Sequence, residues 1–300
     1  MDQEYKVDFM IVGSQKCGTT TLAEMLRRHP AIVSCDEKEP MFFCSSPNWQ
    51  DEISDYHSLF QWKKGGMHFE SSTSYTFYPY RDLKVWDRLY TYNPDLKIIY
   101  IVRHPIDRII SSYMHAYEQG HFDTGLEKTI VKNAFFLNVT RYATQIRPYI
   151  DRFGSENVQI LFFEDLVQDP SAVVSELSKF LGISEKNFGD VQNIHSNKSV
   201  GGNKLHHRYK NPGIVLRIVR RFLPFVWKKI TDNSDRAFKE KPQMDRQYQE
   251  MVLHLLRNEI DELEQITGRD LSTWRKINDC NFNGDIESVE PSWDRLKVHN

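Results

Sequence analysis

A glycine-bounded loop near the start of the chain has the composition of an anion-binding loop. It reads GSQKCGTTT at 13–21 and lies between an apolar run and a helical pattern. Backbone N–H groups of such a loop, with the positive end of the following helix, form a cradle for phosphate or sulfate. A Walker A loop needs a lysine directly after its second glycine, but Thr19 stands there and the only lysine is Lys16, inside the loop. The loop therefore predicts phosphate or sulfate binding and argues against an ordinary P-loop kinase.

A second candidate anion site is the segment RHPIDRIISSY, which begins at Arg103 and again joins an apolar run to a helical pattern. A guanidinium at a strand end can hold a phosphate through two hydrogen bonds. Ser111 lies two turns into the predicted helix, so it reaches the same anion only if the helix passes close to the strand end. We interpret Arg108 as part of a surface ion pair and Ser112 as part of the helix face.

Alternating strand and helix patterns predict the scaffold that positions these two segments. Apolar runs predict buried parallel strands at 7–13, 66–70, 97–103 and 157–163. Helical patterns lie at 20–29, 105–117, 171–182 and 243–268, the last with room for one break. The alternation predicts an α/β fold, in which a central parallel sheet is flanked by helices. Ligands of such sheets bind beyond the carboxyl ends of the strands, which is where both candidate segments lie.

Length and composition limit the class of protein. The 300 residues are enough for a single domain, which we expect to have its core at about 7–275 and a tail at 276–300. A formal charge of −2 excludes a broadly basic nucleic-acid-binding protein. Four cysteines without a CxxC pair argue against a zinc site. Cys35 and Cys44 are expected to be reduced thiols, with a disulfide as the alternative in an oxidising compartment.

Taken together, these motifs resemble the sulfotransferases that use 3′-phosphoadenosine 5′-phosphosulfate (PAPS). KCGTT at 16–20 is similar to their 5′-phosphosulfate loop, and the Arg-x-Pro-x-x-Arg-x-x-Ser-x-Tyr pattern from Arg103 is similar to their 3′-phosphate motif. KEPMFF at 38–43, EDL at 164–166 and GRDLSTW at 268–274 resemble the branch of heparan sulfate N- and 3-O-sulfotransferases and their bacterial relatives. The resemblance implies a P-loop-NTPase-like fold and transfer of a sulfuryl group to a hydroxyl or amine of a carbohydrate or small-molecule acceptor.

The resemblance also implies a role for each matching residue. Lys16 would contact the oxygen that bridges phosphate and sulfate, and Glu39 would be the general base that takes the proton of the acceptor. The implied donor-binding residues are Lys16, Cys17, Gly18, Thr19, Thr20, Arg103 and Ser111, with Lys204 as a candidate in a late phosphate-contacting loop. His68, which precedes Glu70 at a predicted strand end, is an alternative or auxiliary base. No metal is required, because Lys and Arg can meet the charge of the donor.

Two positions depart from the pattern of that branch. Met41 stands where its members have His, and Ser71 replaces a second active-site lysine, whose charge would have to come from elsewhere, for example from Lys38. Two alternatives therefore stay open. One is a P-loop nucleoside-phosphate kinase or NTPase, and the other is a catalytically silent nucleotide-binding relative, which Ser71 favours. The acceptor and the oligomeric state are not indicated.

The sequence has neither a signal peptide nor a run of about 18 apolar residues that could span a membrane. Luminal members of the branch carry such a segment ahead of the domain. Its absence predicts a cytoplasmic enzyme, with the Golgi lumen as the alternative if the chain is a fragment.

Overall fold

Five parallel strands form the centre of the molecule, in the spatial order β2-β3-β1-β4-β5. The computed structural model describes residues 5–81, 84–191 and 238–277. The strands are β1 (Phe9–Gly13), β2 (Ile32–Ser34), β3 (Met67–Ser71), β4 (Lys97–Val102) and β5 (Val158–Phe162). Every residue of β1 is buried, as is typical of a parallel strand with helices on both faces. The prediction of a single α/β domain with a parallel sheet is confirmed.

The helices of the described residues cover the two faces of the sheet. In chain order they are α1 (Thr19–Leu26), α2 (Phe42–Ser45), α3 (Ile53–His57), α4 (Val85–Tyr92), α5 (Pro105–Glu118), α6 (Leu126–Lys132), α7 (Phe135–Asn138), α8 (Tyr142–Phe153), α9 (Phe163–Gln168), α10 (Pro170–Leu181), α11 (Arg246–Leu255) and α12 (Arg257–Thr267). Short 3₁₀ turns lie at Thr73–Thr76, Ser155–Asn157, Glu185–Phe188 and Ser272–Arg275.

Several elements were not predicted from the sequence, among them strand β2, helix α8 and the short helices between the predicted ones. Strand β2 has only three residues, which is too short for an apolar run to stand out. Helix α8 carries Pro148 in its interior, a residue that normally argues against a helix. The long pattern at 243–268 is broken once, because Leu256 separates α11 from α12.

The carboxyl ends of the strands meet at one edge of the sheet, and the candidate segments follow them. The parallel register pairs Ile11 of β1 with Ser71 of β3 and with Ile99 of β4. Directly after β1, the N–H of Ser14 donates to the carbonyl of Ile101 in β4 at 2.8 Å. The β1–α1 loop, the turn after β3 and the start of α5 are therefore neighbours, as the sequence predicted.

Candidate active site

The β1–α1 loop (residues 14–18) has a shape that only glycine allows at its last position. Gly18 has φ 94°, and a Cβ atom there would lie 2.7 Å from the ring of Phe163. Helix α1 begins directly afterwards at Thr19 and has no side-chain cap. Its first N–H groups are therefore left to bind an anion, which is the arrangement expected of a phosphate cradle.

Lys16 lies in this loop within a cluster of positive charge. Its pKa is lowered, mainly by burial, while the carboxylate of Glu118 acts in the opposite direction. The nearby cations that lower it further are Arg103, Arg108 and Lys38. Among the described residues, no salt bridge joins Lys16, Lys38 or Arg103 to a carboxylate. Such a cluster stabilises a bound anion, because the charge of the anion offsets the repulsion among the cations.

Arg103 connects the second candidate segment to the first. Its Nη1 atom lies 3.5 Å from the carbonyl oxygen of Lys16, and its guanidinium packs 4.4 Å from the ring centre of Phe163. The Tyr142 hydroxyl donates to the Arg103 carbonyl at 2.8 Å and so fixes the backbone after β4. Ser111 is buried on the helix that begins just beyond Arg103. Helix α5 thus starts beside the strand end, and the convergence of Ser111 with Arg103 on one anion stays a prediction.

Arg108 and Ser112 have a different role from the one expected. Arg108 is completely buried, and its guanidinium donates to the carbonyls of Gln15 at 3.2 Å and Phe136 at 3.0 Å. Ser112 is also buried and donates to Gln15 Oε1 at 3.3 Å. The interpretation as a surface ion pair and an outer helix face was wrong. Both side chains instead hold the β1–α1 loop against α5.

Glu39 lies in a strained turn beside this cation cluster. The Glu39 turn (residues 38–43) contains two non-glycine residues in the left-handed region, Glu39 and Met41, each with φ 53°. The Thr73 hydroxyl, from the turn after β3, donates to Glu39 Oε2 at 3.3 Å. Lys38, the preceding residue, is exposed and lies close enough to act on the pKa of Lys16. The half-buried carboxylate of Glu39 is thus held on the same side of the sheet as the β1–α1 loop.

The segments after β5 complete the edge. Glu164 Oε1 accepts the N–H of His104 at 2.8 Å, and Asp165 forms an ion pair with Arg269. Trp274 packs against His104, with ring centres 6.1 Å apart. The EDL and GRDLSTW motifs therefore brace the backbone that presents Arg103.

Comparison with known proteins agrees with this geometry. The profile of the sulfotransferase domain matches residues 6–205 of the 300. The chain belongs to the sulfotransferase family. The sequence-based resemblance is confirmed. Membership of this family argues against the alternative hypothesis of a P-loop kinase.

Relatives of this sulfotransferase include enzymes named for heparan sulfate. The chain is 26% identical over 243 residues to the heparan sulfate glucosamine 3-O-sulfotransferase 5 of Mus musculus, covering 72% of this chain and 69% of the relative. It is 28% identical over 199 residues to the bifunctional heparan sulfate N-deacetylase/N-sulfotransferase 4 of the same species, covering 59% of this chain and 22% of the relative. The chain thus spans about a fifth of the bifunctional relative.

A solved structure shares the fold. The sulfotransferase from Alicyclobacillus acidocaldarius superposes with a TM-score of 0.64 at 24% identity, covering 91% of this chain and 100% of that chain. This similarity confirms the predicted P-loop-like architecture. No helix within 5–81, 84–191 or 238–277 is both long enough and apolar enough to cross a membrane.

The structure does not bring His68 to the site of this sulfotransferase. His68 lies near the amino end of β3, whereas the site lies beyond the carboxyl ends. Its Nε2 accepts the N–H of Lys63 at 3.0 Å, and its Nδ1 lies 3.5 Å from a carboxylate oxygen of Asp8. Burial lowers the pKa of this histidine. The expectation that His68 serves as an auxiliary base is therefore corrected, because both ring nitrogens are occupied by the scaffold.

His115, to which no role was assigned from the sequence, lies close enough to Lys16 for the charge of that lysine to act on it. It is half-buried on α5, four residues after Ser111 and hence on the same helix face. Its pKa is lowered to about 4, first by burial and then by the charge of Lys16, with His121 and Lys38 adding to the effect. The spacing from Ser111 was the signal that could have found it.

The remaining predicted donor residues fall into three groups. Cys17 is buried with its Sγ atom 3.7 Å from the Tyr142 hydroxyl, and burial raises the pKa of its thiol to about 11. It therefore packs beneath the loop as a neutral side chain. Thr19 and Thr20 open α1, the first buried and the second half-buried. Lys204 lies outside the described residues.

Cys35 and Cys44 are free thiols, as expected.

Proposed function

We propose that this protein transfers a sulfuryl group from PAPS to a hydroxyl or amine of a carbohydrate or small-molecule acceptor. The observation that carries the proposal is the contact between Arg103 and the carbonyl of Lys16, which joins two cationic anion-binding segments at one edge of the sheet. The donor has two anionic ends, a 3′-phosphate and a 5′-phosphosulfate. Two linked cationic segments match such a molecule better than they match a single phosphate.

The residues present fit the donor. Lys16 and the uncapped N–H groups of α1 would hold the 5′ end, and Arg103 with the buried Ser111 would hold the 3′-phosphate. The requirement for glycine at position 18 keeps the backbone open where the anion would approach. Lys16, Lys38 and Arg103 form no salt bridge with a carboxylate of the described residues, so the donor would supply further counter-charge.

Transfer needs one bond to form and one to break. The acceptor oxygen or nitrogen attacks sulfur, the bond from sulfur to the bridging oxygen breaks, and 3′-phosphoadenosine 5′-phosphate (PAP) leaves. Glu39 would take the acceptor proton, a contribution of about 10²–10⁴-fold for a well-placed general base. Lys16 would stabilise the negative charge that grows on the bridging oxygen. Lys38 would supply the second cation that Ser71 does not provide.

The relatives favour a carbohydrate acceptor, because both are named as heparan sulfate sulfotransferases. The charges of Lys16 and Lys38 act on His115, so these three residues lie near one another, and Glu39 directly follows Lys38. A neutral histidine and a lysine are suited to hydrogen bonding with hydroxyl and acidic groups of a sugar.

The proposal is tested by binding and then by transfer. Calorimetry should detect binding of PAP, and a screen of glycan and small-molecule acceptors with radiolabelled PAPS should yield a labelled product. Glu39→Gln should keep PAP binding and lose most of the transfer. PAP binding without transfer to any acceptor would favour the catalytically silent relative, whereas magnesium-dependent ATP turnover without PAP binding would contradict the proposal.

A further inference from the structure

A buried acid lies beneath the Glu39 turn. Glu70, in β3, is only 1% exposed, and its Oε2 accepts the hydroxyl of Tyr56 at 2.6 Å. Its other oxygen, Oε1, is buried and has no hydrogen bond of ordinary geometry with a described residue. Burying a carboxyl costs free energy unless both of its oxygens are hydrogen-bonded, so the surroundings of Oε1 need an explanation.

Two hydroxyls stand between this acid and the turn. Ser72 Oγ accepts the N–H of Met41 at 3.0 Å, and the Tyr75 hydroxyl oxygen accepts the N–H of Phe43 at 3.2 Å. A hydroxyl that accepts from an N–H must direct its own proton elsewhere. Both side chains act on the Glu70 carboxyl, because hydrogen bonding by Ser72 and Tyr75 opposes the rise of its pKa and so favours the ionised carboxylate.

The turn depends on such support. Glu39 and Met41 occupy the left-handed region, which non-glycine residues adopt at a cost. The two N–H bonds to Ser72 and Tyr75, both just after Glu39, offset that cost. Ser72 lies directly after β3 and Tyr75 lies in the 3₁₀ turn that follows, so the two bonds also set the position of the Glu39 turn relative to the sheet.

We propose that Glu70 is a positioning residue for Glu39. Its carboxylate accepts the protons of Ser72 and Tyr75, which turns the two hydroxyl oxygens toward the N–H groups of Met41 and Phe43 and so holds the Glu39 turn in place. The inference deepens the proposed function and rests on it for the role of Glu39. It adds a buried residue that touches neither donor nor acceptor.

This arrangement responds to pH. Burial raises the pKa of Glu70 to about 7, and the hydrogen bonds from Tyr56, Ser72 and Tyr75 limit the rise. Among the described residues, Cys35, directly after β2, is a further titratable group near Glu70, whose charge helps to raise the pKa of the thiol. Burial also raises the pKa values of Tyr56, Tyr75 and Cys35, so these neighbours are neutral near pH 7.

The direction of the response follows from the hydrogen bonds. Protonated Glu70 carries a proton of its own to donate, which competes with the N–H groups for the hydroxyl oxygens. The paired strand β1 places Met10, an apolar residue, opposite Glu70 and offers no substitute acceptor in its side chain. The Glu39 turn is therefore held more firmly as the pH rises through about 7.

Hydrogen–deuterium exchange tests the positioning without any acceptor. In the wild-type protein, protection of the amides of Met41 and Phe43, corrected for the intrinsic exchange rate, should rise as the pH passes from about 6 to about 8. In Glu70→Gln the protection should be lower and independent of pH. Glu185→Gln, which changes an exposed carboxyl, should behave as the wild type. Protection in the wild type that stays constant over this range would overturn the proposal.

Two further measurements separate a positioning role from a merely structural one. Tyr56→Phe removes a hydrogen bond to the ionised carboxylate, so the pH midpoint of protection should move upward. With an acceptor in hand, Glu70→Gln should lower kcat by roughly tenfold to a hundredfold while the affinity for PAP stays within about twofold. An unmoved midpoint in Tyr56→Phe, or an unchanged kcat in Glu70→Gln, would overturn the proposal. If the wild-type protein failed to bind PAP, the proposed function would fail while the exchange result still decided the role of Glu70 in the turn.

Discussion

Arg103 and Phe163 form a cation–π pair in which the guanidinium lies 4.4 Å from the ring centre. The same ring packs against the β1–α1 loop at Gly18. Phe163 therefore links the two anion-binding segments, and it does so from the end of a third strand. A substitution that moves either segment is therefore expected to shift the other segment as well, because both contact this ring.

Arg103→Ala should weaken PAP binding by roughly tenfold to a hundredfold, because charged hydrogen bonds contribute about 1.5–3 kcal/mol. Calorimetry with PAP measures the loss. Arg147→Ala provides the control, since Arg147 forms a partly exposed ion pair with Glu262 on the helices. Equal affinities of wild type and Arg103→Ala would contradict the assignment of Arg103 to the donor.

Gly18→Ala should reduce PAP affinity by at least about tenfold, because the methyl group meets Phe163 and the left-handed backbone costs roughly 1–2 kcal/mol. Gly65→Ala is a matched control. Gly65 also has a positive φ, of 73°, but a Cβ there meets nothing within 4 Å. The control should lose stability in a thermal melt and keep its affinity for PAP. The prediction fails if both variants bind PAP equally well.

Lys38→Gln should lower kcat by roughly a hundredfold with little change in PAP affinity, because the variant loses a cation that would act on the transferred group. Ser71 stands at the carboxyl end of β3, paired with Ile11 just before the β1–α1 loop. The double variant Lys38→Gln with Ser71→Lys should therefore recover part of the rate. Steady-state kinetics with an identified acceptor measure both effects, and full activity of Lys38→Gln would exclude the role.

Glu70 should make the free energy of unfolding depend on pH. Its pKa is about 7 in the folded protein against an ordinary value of 4.5, so the folded state binds more protons between these values. Stability should thus fall as the pH rises from 4.5 to about 7, by about 3 kcal/mol if the carboxyl acts alone. Urea unfolding across this range measures the slope.

The matched variants for this slope are Glu70→Gln, which should flatten it, and Glu185→Gln, which should leave it as in the wild type. A Glu70→Gln protein with an undiminished slope would show that other groups cause the dependence.

Much of the fold could be predicted because its signals are local. The apolar runs of β1 and β4 indicate strands that are covered on both faces. The glycines on either side of Lys16 indicate a loop between a strand and a helix. For the same reason the two candidate anion-binding segments could be placed after β1 and β4, while the roles of their residues stay predictions. The proximity of Lys38 to Lys16 was harder to predict, because β2 and the Glu39 turn are short and carry little pattern of their own.

The predictions from sequence that were wrong concern the orientation of a side chain and the identity of its hydrogen-bonding or ionic partner. Arg108 was expected at the surface because charged residues usually are, but the loop carbonyl of Gln15 and the carbonyl of Phe136 satisfy its guanidinium inside. His68 and Glu70 are two residues apart in β3, yet one bonds to Asp8 and the other to Tyr56. Such partners come from distant parts of the chain, so spacing alone could not identify them.

The ion pair between Asp165 and Arg269 joins residues 104 positions apart. Beside it, the indole of Trp274 rests on His104 at the start of α5. A shortened protein that stopped before Arg269 would keep every motif that faces the donor and still lose the brace behind them. Proteolytic removal of the C-terminal segment is thus expected to abolish nucleotide binding, although the removed residues do not contact the nucleotide.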